Sequence, residues 1–260
     1  MNDFRYQSFP KERALVVDAG YLGTGRHIFY GLAEVDVTQA RRLLRVQETA
    51  VGAHLSFTAF IVACLSRAII AHPEVQAYRD WRGRLVIFND VDVVTMIEPE
   101  PGAVAIPHII RLANRKTIQE ISDEIRGVKA RPEESRQHGK LVRLAPRLPR
   151  FVRLLFFWLM KKNPHWIKQV EGTVIVTSIG MFASGGVWGI TFLPVHTLGL
   201  TVGGITQKPG VHDGQIGIRE YLDLTMAFDH DVVDGAPAAR FGRSLVELIE
   251  GAKLLEDEVG

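Results

Sequence analysis

Apolar positions recur at helical spacing in two early stretches of the chain. AEVDVTQARRLLRVQE, residues 33–48, opens on Asp36 or Thr38 as a helix cap and continues with apolar residues three and four positions apart. LSFTAFIVACLSRAIIA, residues 55–71, is almost wholly apolar, which is typical of a helix buried on most of its sides. Pro73 follows and cannot extend a helix, so we expect it to end there.

β-Branched residues dominate the stretches where we predict strands. RLVIFNDVDVVTMIE (84–98) and AVAIPHII (103–110) flank the turn EPEPG, and GTVIVTSIG, TLGLTVGGI and EYLDLTMAFDH follow after residue 172. A capping box from Thr117 to Glu120 begins a further helix, and the last helix follows Pro237. GGITQKPG and SGGVWG are predicted to be turns. SGGVWG closely follows GTVIVTSIG, so it is expected to border any cleft that this strand faces. The order predicts an α/β fold of the mixed, α+β-like kind with a substantial sheet.

Composition indicates a globular protein. The 260 residues are 47% hydrophobic and 23% charged, and 31 Lys and Arg against 29 Asp and Glu give a net charge of +2. This balance gives no basic excess for nucleic acid, so no nucleic-acid partner is predicted. The N-terminal MNDFRYQSFPKER has no apolar signal core, and no apolar run reaches the roughly 18 residues that span a bilayer. We therefore expect a cytoplasmic protein.

The single cysteine and the scattered histidines predict neither a disulfide nor a metal site. Cys64 lies in the apolar helix, where a buried, inert thiol is expected. No pair of histidines has the His-x-x-x-His spacing of a metal site, so no metal is predicted. A nicotinamide dehydrogenase is disfavoured because no glycine-rich strand-to-helix fingerprint is present.

The segment YLDLTMAFDHDVVDGAPAARF carries the candidate chemistry. It begins as a buried strand and then places His230, Asp234 and Gly235 in the pattern His-x-x-x-Asp-Gly. An imidazole titrates near neutral pH and suits a general base. The alternative is a core histidine satisfied by one hydrogen bond, but Asp229 and Asp231 are unusual companions for an apolar strand.

DHDVVDGAPAARF resembles the signature of the dihydrolipoamide acyltransferases, the core subunits of 2-oxoacid dehydrogenase complexes, whose fold chloramphenicol acetyltransferase shares. AEVDVT, LSFTAFIVACLSRAIIAHPEVQA, VDVVTMIEPEPGAVAIPHIIRLANRKTIQEISDEI and GTVIVTSIGMF resemble further segments of the same catalytic domain in the same order. The resemblance implies a chloramphenicol acetyltransferase-like two-layer sandwich with a mixed central sheet. Residues 1–260 would then form a single catalytic domain.

The resemblance also implies the reaction, an acyl transfer between coenzyme A (CoA) and a thiol or hydroxyl acceptor. His230 would be the general base, and the Thr177 hydroxyl would stabilise the oxyanion. Ser178 is the alternative donor, since neighbouring strand residues face opposite ways and only one of the two should face the cleft. A catalytically inactive oligomeric scaffold, or a core-forming subunit of a dehydrogenase-type complex, remains the alternative function.

Two further residues are given supporting roles by the resemblance. Asp234 would hold the loop around His230 through an ion pair with an early arginine, for which Arg13 is the candidate. Gly235 would permit the tight turn behind the histidine.

The likeness further implies a homotrimer, or a larger assembly, with each site between two subunits. This sequence shows no lipoyl hairpin and no subunit-binding domain, so no covalently bound lipoate is expected. The acceptor would be a lipoyl group on a separate carrier protein or a free small or lipid-like molecule.

Two features depart from the family pattern. Asp231 follows the histidine where the family usually has a basic residue. Residues 141–169, LVRLAPRLPRFVRLLFFWLMKKNPHWIKQ, look like an insertion that mixes aromatic with basic residues. Such a segment either packs within the subunit or trimer, or contacts a membrane surface or walls a hydrophobic acceptor pocket.

Overall fold

A mixed six-stranded sheet with helices on one face forms the core of the molecule. The computed structural model describes residues 3–10, 13–51, 55–98, 105–131, 145–180, 185–212 and 214–256. The sheet order is β1-β8-β7-β6-β4-β5, in which β6 runs parallel to both β4 and β7 and the other neighbours are antiparallel. The prediction of a mixed α/β fold with a substantial sheet is confirmed.

The elements follow one another along the chain as helices, strands and short 3-10 turns. The helices are α1 (Arg13–Gly23), α2 (Thr38–Val51), α3 (Phe57–Ala71), α4 (Ile118–Ala130), α5 (Arg150–Lys161), α6 (Pro164–Glu171), α7 (Gly235–Gly251) and α8 (Lys253–Glu256). The strands are β1 (Ile28–Asp36), β2 (Tyr78–Arg79), β3 (Leu85–Val86), β4 (Val93–Ile97), β5 (Ile106–Ile110), β6 (Val174–Ser178), β7 (Leu198–His212) and β8 (Gln215–Asp229). Strands β2 and β3 form a separate small hairpin.

The apolar helix α3 lies at the centre of the helical layer. It is buried along most of its length and packs against α4 and α7, while one face of the sheet closes the same core. Cys64 is buried there, and burial raises the pKa of its thiol, as expected for an inert side chain. The capping box of α4 is present: the Thr117 hydroxyl accepts from the Glu120 N–H while the Glu120 carboxylate accepts from the Thr117 N–H. None of the described helices is long and apolar enough to cross a membrane.

One sequence prediction is corrected, and two elements were not predicted. Strand β1 was not predicted: residues 33–36 end it, because pairing with β8 overrides the helical propensity of Ala and Glu there. Helix α2 begins at Thr38, in agreement with the predicted cap at Asp36 or Thr38. GGITQKPG is not a turn but continues β7, whose register shifts between Val202 and Ile205. Helix α1 was not predicted. Residues 99–104 of the predicted EPEPG turn and its return lie outside the described residues.

The face of the sheet opposite the helices is partly covered by residues 185–193. A Cβ added at Gly189 would come within 2.7 Å of the Thr201 side chain, and one at Gly199 within 2.4 Å of Leu193. The hydroxyl of Tyr30 reaches the carbonyl of Thr191 from β1. Residues 185–189 of the glycine-rich segment therefore border the face of the sheet opposite the helices, which we call the free face.

Candidate active site

The turn after β8 is tied together around one aspartate. The Asp229 carbonyl accepts hydrogen bonds from the N–H groups of Val232 and Val233, each at 3.0 Å, and its carboxylate accepts from the Asp231 N–H at 3.2 Å. The His230 N–H donates to the carbonyl of His27 at 2.7 Å, which ties the turn to the start of β1. The backbone that carries His230 is thus fixed from two sides.

The imidazole of His230 is held by a ring contact and remains open to solvent. Its side chain is 53% exposed, and its ring lies 4.9 Å from the ring of Phe29, centroid to centroid. Its Nδ1 lies 3.8 Å from a carboxylate oxygen of Asp234, beyond hydrogen-bond length, so the contact between them is electrostatic. An imidazole in this setting can accept a proton from a bound nucleophile.

The arginine at this turn is Arg26, not Arg13. Its guanidinium forms an ion pair with Asp229 and donates to the carbonyls of Val195, at 2.6 Å, and His196, at 3.0 Å. Among the described residues no ion pair joins Arg13, at the start of α1, to Asp234. The physical reason is strand pairing: Ile28 lies opposite Asp229, so the residues just before β1 reach the end of β8.

The prediction for Gly235 is revised, and Asp231 gains a partner. Gly235 begins α7 without a left-handed backbone, and a Cβ there would meet no atom within 4 Å. The turn itself therefore does not require glycine. Asp231, the departure from the family pattern, pairs with the exposed His27 at 2.8 Å; their hydrogen bond raises the pKa of His27 and lowers that of Asp231.

Thr177 and Ser178 face opposite sides of the sheet, as alternation along β6 requires. Ser178 lines a cavity of about 780 Å³ between the sheet and helices α2, α3 and α4. Thr177 lies on the other face and is aligned through the strand register with Thr201 and Thr225. The hydroxyls of Thr201 and Thr225 are buried and have no hydrogen-bond partner among the residues that the structure describes. The threonine row therefore belongs to the free face, which carries the SGGVWG segment.

Thr177 and His230 are far apart within one chain. Two strand spacings separate Thr177 from Thr225, and five further residues lead to His230, which gives about 19 Å for a regular sheet. A general base and an oxyanion donor must both lie within hydrogen-bond reach of one reacting group. A single copy of this chain does not bring the two together.

Two open cavities adjoin the turn. An apolar groove of about 660 Å³ runs between β1 and α7 and is lined by Phe29, Phe228, Gly235 and Gly242 among others. A second cavity, of about 480 Å³, lies between the α5 end of the predicted insertion and the β2–β3 hairpin and is charged. Its charged lining is Arg26, Arg79, Lys161 and Lys162 together with Asp80, Asp229 and Asp231.

Cationic side chains of this kind can bind phosphate or carboxylate groups of a ligand. No group of three or more His, Cys, Asp and Glu side chains that could hold a metal occurs in the described ranges.

The sequence prediction missed Arg26 and His27. Both lie in GTGRHIFY, directly before β1. Their position beside His230 could be predicted only if the pairing of β1 with β8 had been recognised. The signal was present as an arginine and a histidine at a strand entrance.

Comparison with known proteins decides the family. The chain matches the family model of 2-oxoacid dehydrogenases acyltransferase (catalytic domain) over residues 27–139 and 163–256. The chain belongs to this family. The interruption of the match, 140–162, overlaps the predicted insertion over residues 141–162.

A curated relative gives the same family. The acyltransferase-family chain is 27% identical over 229 residues to the dihydrolipoyllysine-residue acetyltransferase component of the pyruvate dehydrogenase complex of Bacillus subtilis (strain 168). The alignment covers 85% of this chain but only 44% of that relative, so the chain spans less than half of the relative's length.

Solved structures show that the fold is shared. The cubic core of the pyruvate dehydrogenase multienzyme complex has a TM-score of 0.73 at 16% identity, covering 97% of this chain and 95% of the other. The dihydrolipoamide acetyltransferase of Azotobacter vinelandii, studied for the role of a serine, a histidine and an asparagine in catalysis, gives 0.70 at 17% identity over 97% and 95%. Chloramphenicol acetyltransferase gives 0.54 at 14% identity over 94% and 99%. The expected chloramphenicol acetyltransferase-like fold is confirmed.

Proposed function

We propose that this protein transfers an acyl group between CoA and a thiol or hydroxyl acceptor. The observation that carries the proposal is His230, an exposed imidazole on a turn fixed by Asp229 and by the backbone of His27. Its setting in a family of acyltransferase catalytic domains supports the same reading. A scaffold without catalysis has no physical need for an exposed imidazole on so well-anchored a turn.

In the proposed mechanism His230 acts as the general base. Its imidazole removes the proton from the acceptor thiol or hydroxyl, which then attacks the thioester carbonyl of acyl-CoA. The tetrahedral oxyanion accepts a hydrogen bond from the Thr177 hydroxyl. As the intermediate collapses, the C–S bond breaks and the CoA thiolate takes the proton back from the imidazolium.

Asp234 and the threonine hydroxyl have defined parts in this proposal. The carboxylate of Asp234, 3.8 Å from Nδ1, helps to hold the imidazole of His230 in position. Thr177 is preferred over Ser178 because it lies on the free face of the sheet, whereas Ser178 faces the helical layer. The cations of the cavity beside the turn, including Arg79 and Lys162, are candidates for binding the phosphates of CoA.

We further propose that the site is completed between two copies of the chain in a homotrimer or a larger assembly. The separation of about 19 Å between Thr177 and His230 in one copy is the physical argument, since both groups must reach one carbonyl. The family relative that forms a cubic core supports an oligomer. The acceptor in the named relatives is a lipoyl group, so a lipoyl group on a separate carrier protein is the first acceptor to test, beside small hydroxyl compounds.

Thiol release from acetyl-CoA tests the activity, with dihydrolipoamide and small hydroxyl and amine compounds as acceptors. His230→Ala should lower kcat by about a hundredfold to ten-thousandfold, the range for loss of a general base. His165→Ala, which removes an exposed histidine on α6, is the matched control and should keep wild-type turnover. Equal turnover of the wild type and His230→Ala would refute the assignment of the base. No turnover by the wild type across acyl chain lengths would favour the scaffold.

Subunit mixing tests the shared site. His230→Ala and Thr177→Val should each be nearly inactive, but trimers co-refolded from both should regain activity because some interfaces pair an intact histidine with an intact threonine. Random pairing predicts about a quarter of wild-type activity. If the two variants fold and assemble together but the mixture regains no activity, then either His230 and Thr177 act within one chain or one of them has no part in the mechanism.

A further inference from the structure

Helix α5 exposes an apolar stripe and buries an arginine beside Met160, unlike an ordinary surface helix. Its buried positions include Arg153, whereas Phe151, Leu155 and Trp158 are 72%, 54% and 55% exposed. These three residues, at spacings of four and three, form one stripe along the helix, with Leu159 beside them. An ordinary amphipathic helix turns such a stripe toward the core.

A buried ion pair holds the helix in this orientation. The guanidinium of Arg153 donates to the carboxylate of Asp18 on α1 at 2.6 Å and to the Leu148 carbonyl at 2.5 Å. Asp18 is the one buried residue of α1, which likewise exposes Val17 and Tyr21. Rotating α5 to bury the stripe would carry Arg153 away from Asp18, together with Arg150, whose guanidinium lies 3.4 Å from the same carboxylate. The carboxylate would then be buried without a counter-charge, which is strongly unfavourable.

The charge around the stripe has one sign. Of the 31 Lys and Arg of the chain, seven lie in residues 141–169, and none of the 29 Asp and Glu does. Cations stand at both ends of α5: Arg150 lies over the ring of Tyr21, and Lys162 lies over the ring of Trp158. An exposed aromatic stripe flanked by Lys and Arg is suited to the interface of an anionic lipid surface.

We propose that α1 and α5 form a docking surface for anionic phospholipid membranes, with α5 lying flat in the headgroup region. Phe151, Leu155 and Trp158 insert into the boundary with the acyl chains while Arg150 and Lys162 contact the phosphates. A stripe-to-stripe contact between two copies of the chain fits this surface less well. Packing two copies stripe to stripe would bring the same cations face to face, and this repulsion is absent at an anionic surface.

Vesicle co-sedimentation of the full chain tests the proposal. We expect binding to vesicles of phosphatidylcholine with about a third phosphatidylglycerol, and at least tenfold weaker binding to phosphatidylcholine alone, because each surface cation adds to the attraction. Raising the salt to about 0.5 M should release the protein, since screening shortens the range of the interaction.

Variants locate the contact. The double variant Phe151→Glu with Leu155→Glu should lose at least tenfold in vesicle binding, and Lys162→Glu should weaken binding while keeping the stripe. Arg150 is left unchanged because its guanidinium also lies 3.4 Å from the buried carboxylate of Asp18. Ile216→Glu, at an 80% exposed position on the β7–β8 hairpin, is the matched control and should bind as the wild type does.

Two outcomes would overturn the proposal. One is equal binding, or none, to the two vesicle types by the wild type. The other is wild-type vesicle binding by the Phe151→Glu, Leu155→Glu variant. The alternative is that the stripe is an interface between copies of the chain, and light scattering in solution identifies it. The Phe151→Glu, Leu155→Glu variant would then have a smaller oligomer mass than the wild type, and the wild type would not bind vesicles.

Discussion

Replacing Arg26 by methionine removes the cation that neutralises Asp229 at the end of β8. Both side chains are nearly buried, with 10% of Arg26 and 8% of Asp229 exposed, so the carboxylate would be left in the interior without a counter-charge. Breaking a buried pair from one side costs about 3–5 kcal/mol. The carbonyls of Val195 and His196 also lose their donor, which places the expected loss toward the upper end of that range.

Urea unfolding of Arg26→Met at a fixed protein concentration measures this loss. For a chain of this size about 4 kcal/mol corresponds to a fall in Tm of about 8–16 °C. The control is Arg115→Met, which breaks an exposed pair with Asp90 and should cost less than about 1 kcal/mol. Adding Asp229→Asn to Arg26→Met should recover part of the stability, because the amide carries no unpaired charge. A loss no larger than that of the control, or no recovery with Asp229→Asn, would refute the reasoning.

Three further predictions concern the oxyanion donor, a buried acid and a crowded glycine. Thr177→Val should lower kcat for acetyl transfer by about a hundredfold or more with little change in KM. Ser178→Ala, on the opposite face, should keep kcat within a few-fold of the wild-type value. A larger loss of kcat in Ser178→Ala than in Thr177→Val would make Ser178 the oxyanion donor. Burial raises the pKa of Glu171 from 4.5 to about 7. Protonation of this carboxyl therefore contributes fully to the stability of the folded state below pH 4.5, and the contribution is lost as the pH rises through 7. Urea unfolding between pH 4.5 and 7 should show the free energy of unfolding of Glu171→Gln rising relative to that of the wild type, by up to about 1.4 kcal/mol per pH unit. A difference that stays constant with pH would contradict the raised pKa of Glu171. Gly180→Ala would place a Cβ 1.8 Å from the Gly203 carbonyl oxygen and should lower Tm. Gly127→Ala, in open space on α4, is the control and should stabilise the protein by about 0.5–1 kcal/mol. Equal Tm values for the two variants would contradict the close contact at Gly180.

Local signals in the sequence predicted the helical layer well. The Thr117–Glu120 capping box and the apolar run of α3 need only residues that are near one another in the chain, and both elements form where the pattern placed them. Strand β1 was missed because its last residues, Ala33 to Asp36, continue without a break into a helical pattern. Only its pairing with β8, almost two hundred residues away, makes it a strand.

The candidate site was predictable in its residue types but not in its arrangement. The motif around His230 was visible in the sequence, and strand alternation correctly required Thr177 and Ser178 to face opposite ways. The prediction of Arg13 as the partner of Asp234 did not identify Arg26, because the position of Arg26 depends on which strand lies beside β8. The outward direction of the α5 stripe depends on Asp18, since the same helical period fits a stripe turned either way.

The long β7–β8 hairpin joins a strongly protected region to a weakly protected one. Toward Leu198 and Asp229 both strands are buried, while toward the connecting turn Val211, Ile216 and Ile218 are largely exposed. Amide hydrogens at the buried end exchange with solvent only when the whole domain unfolds, whereas those near the turn exchange through local fraying. A single ladder of hydrogen bonds should therefore show two widely separated exchange rates, with the register shift near Gly203 and Gly204 as the place where one gives way to the other.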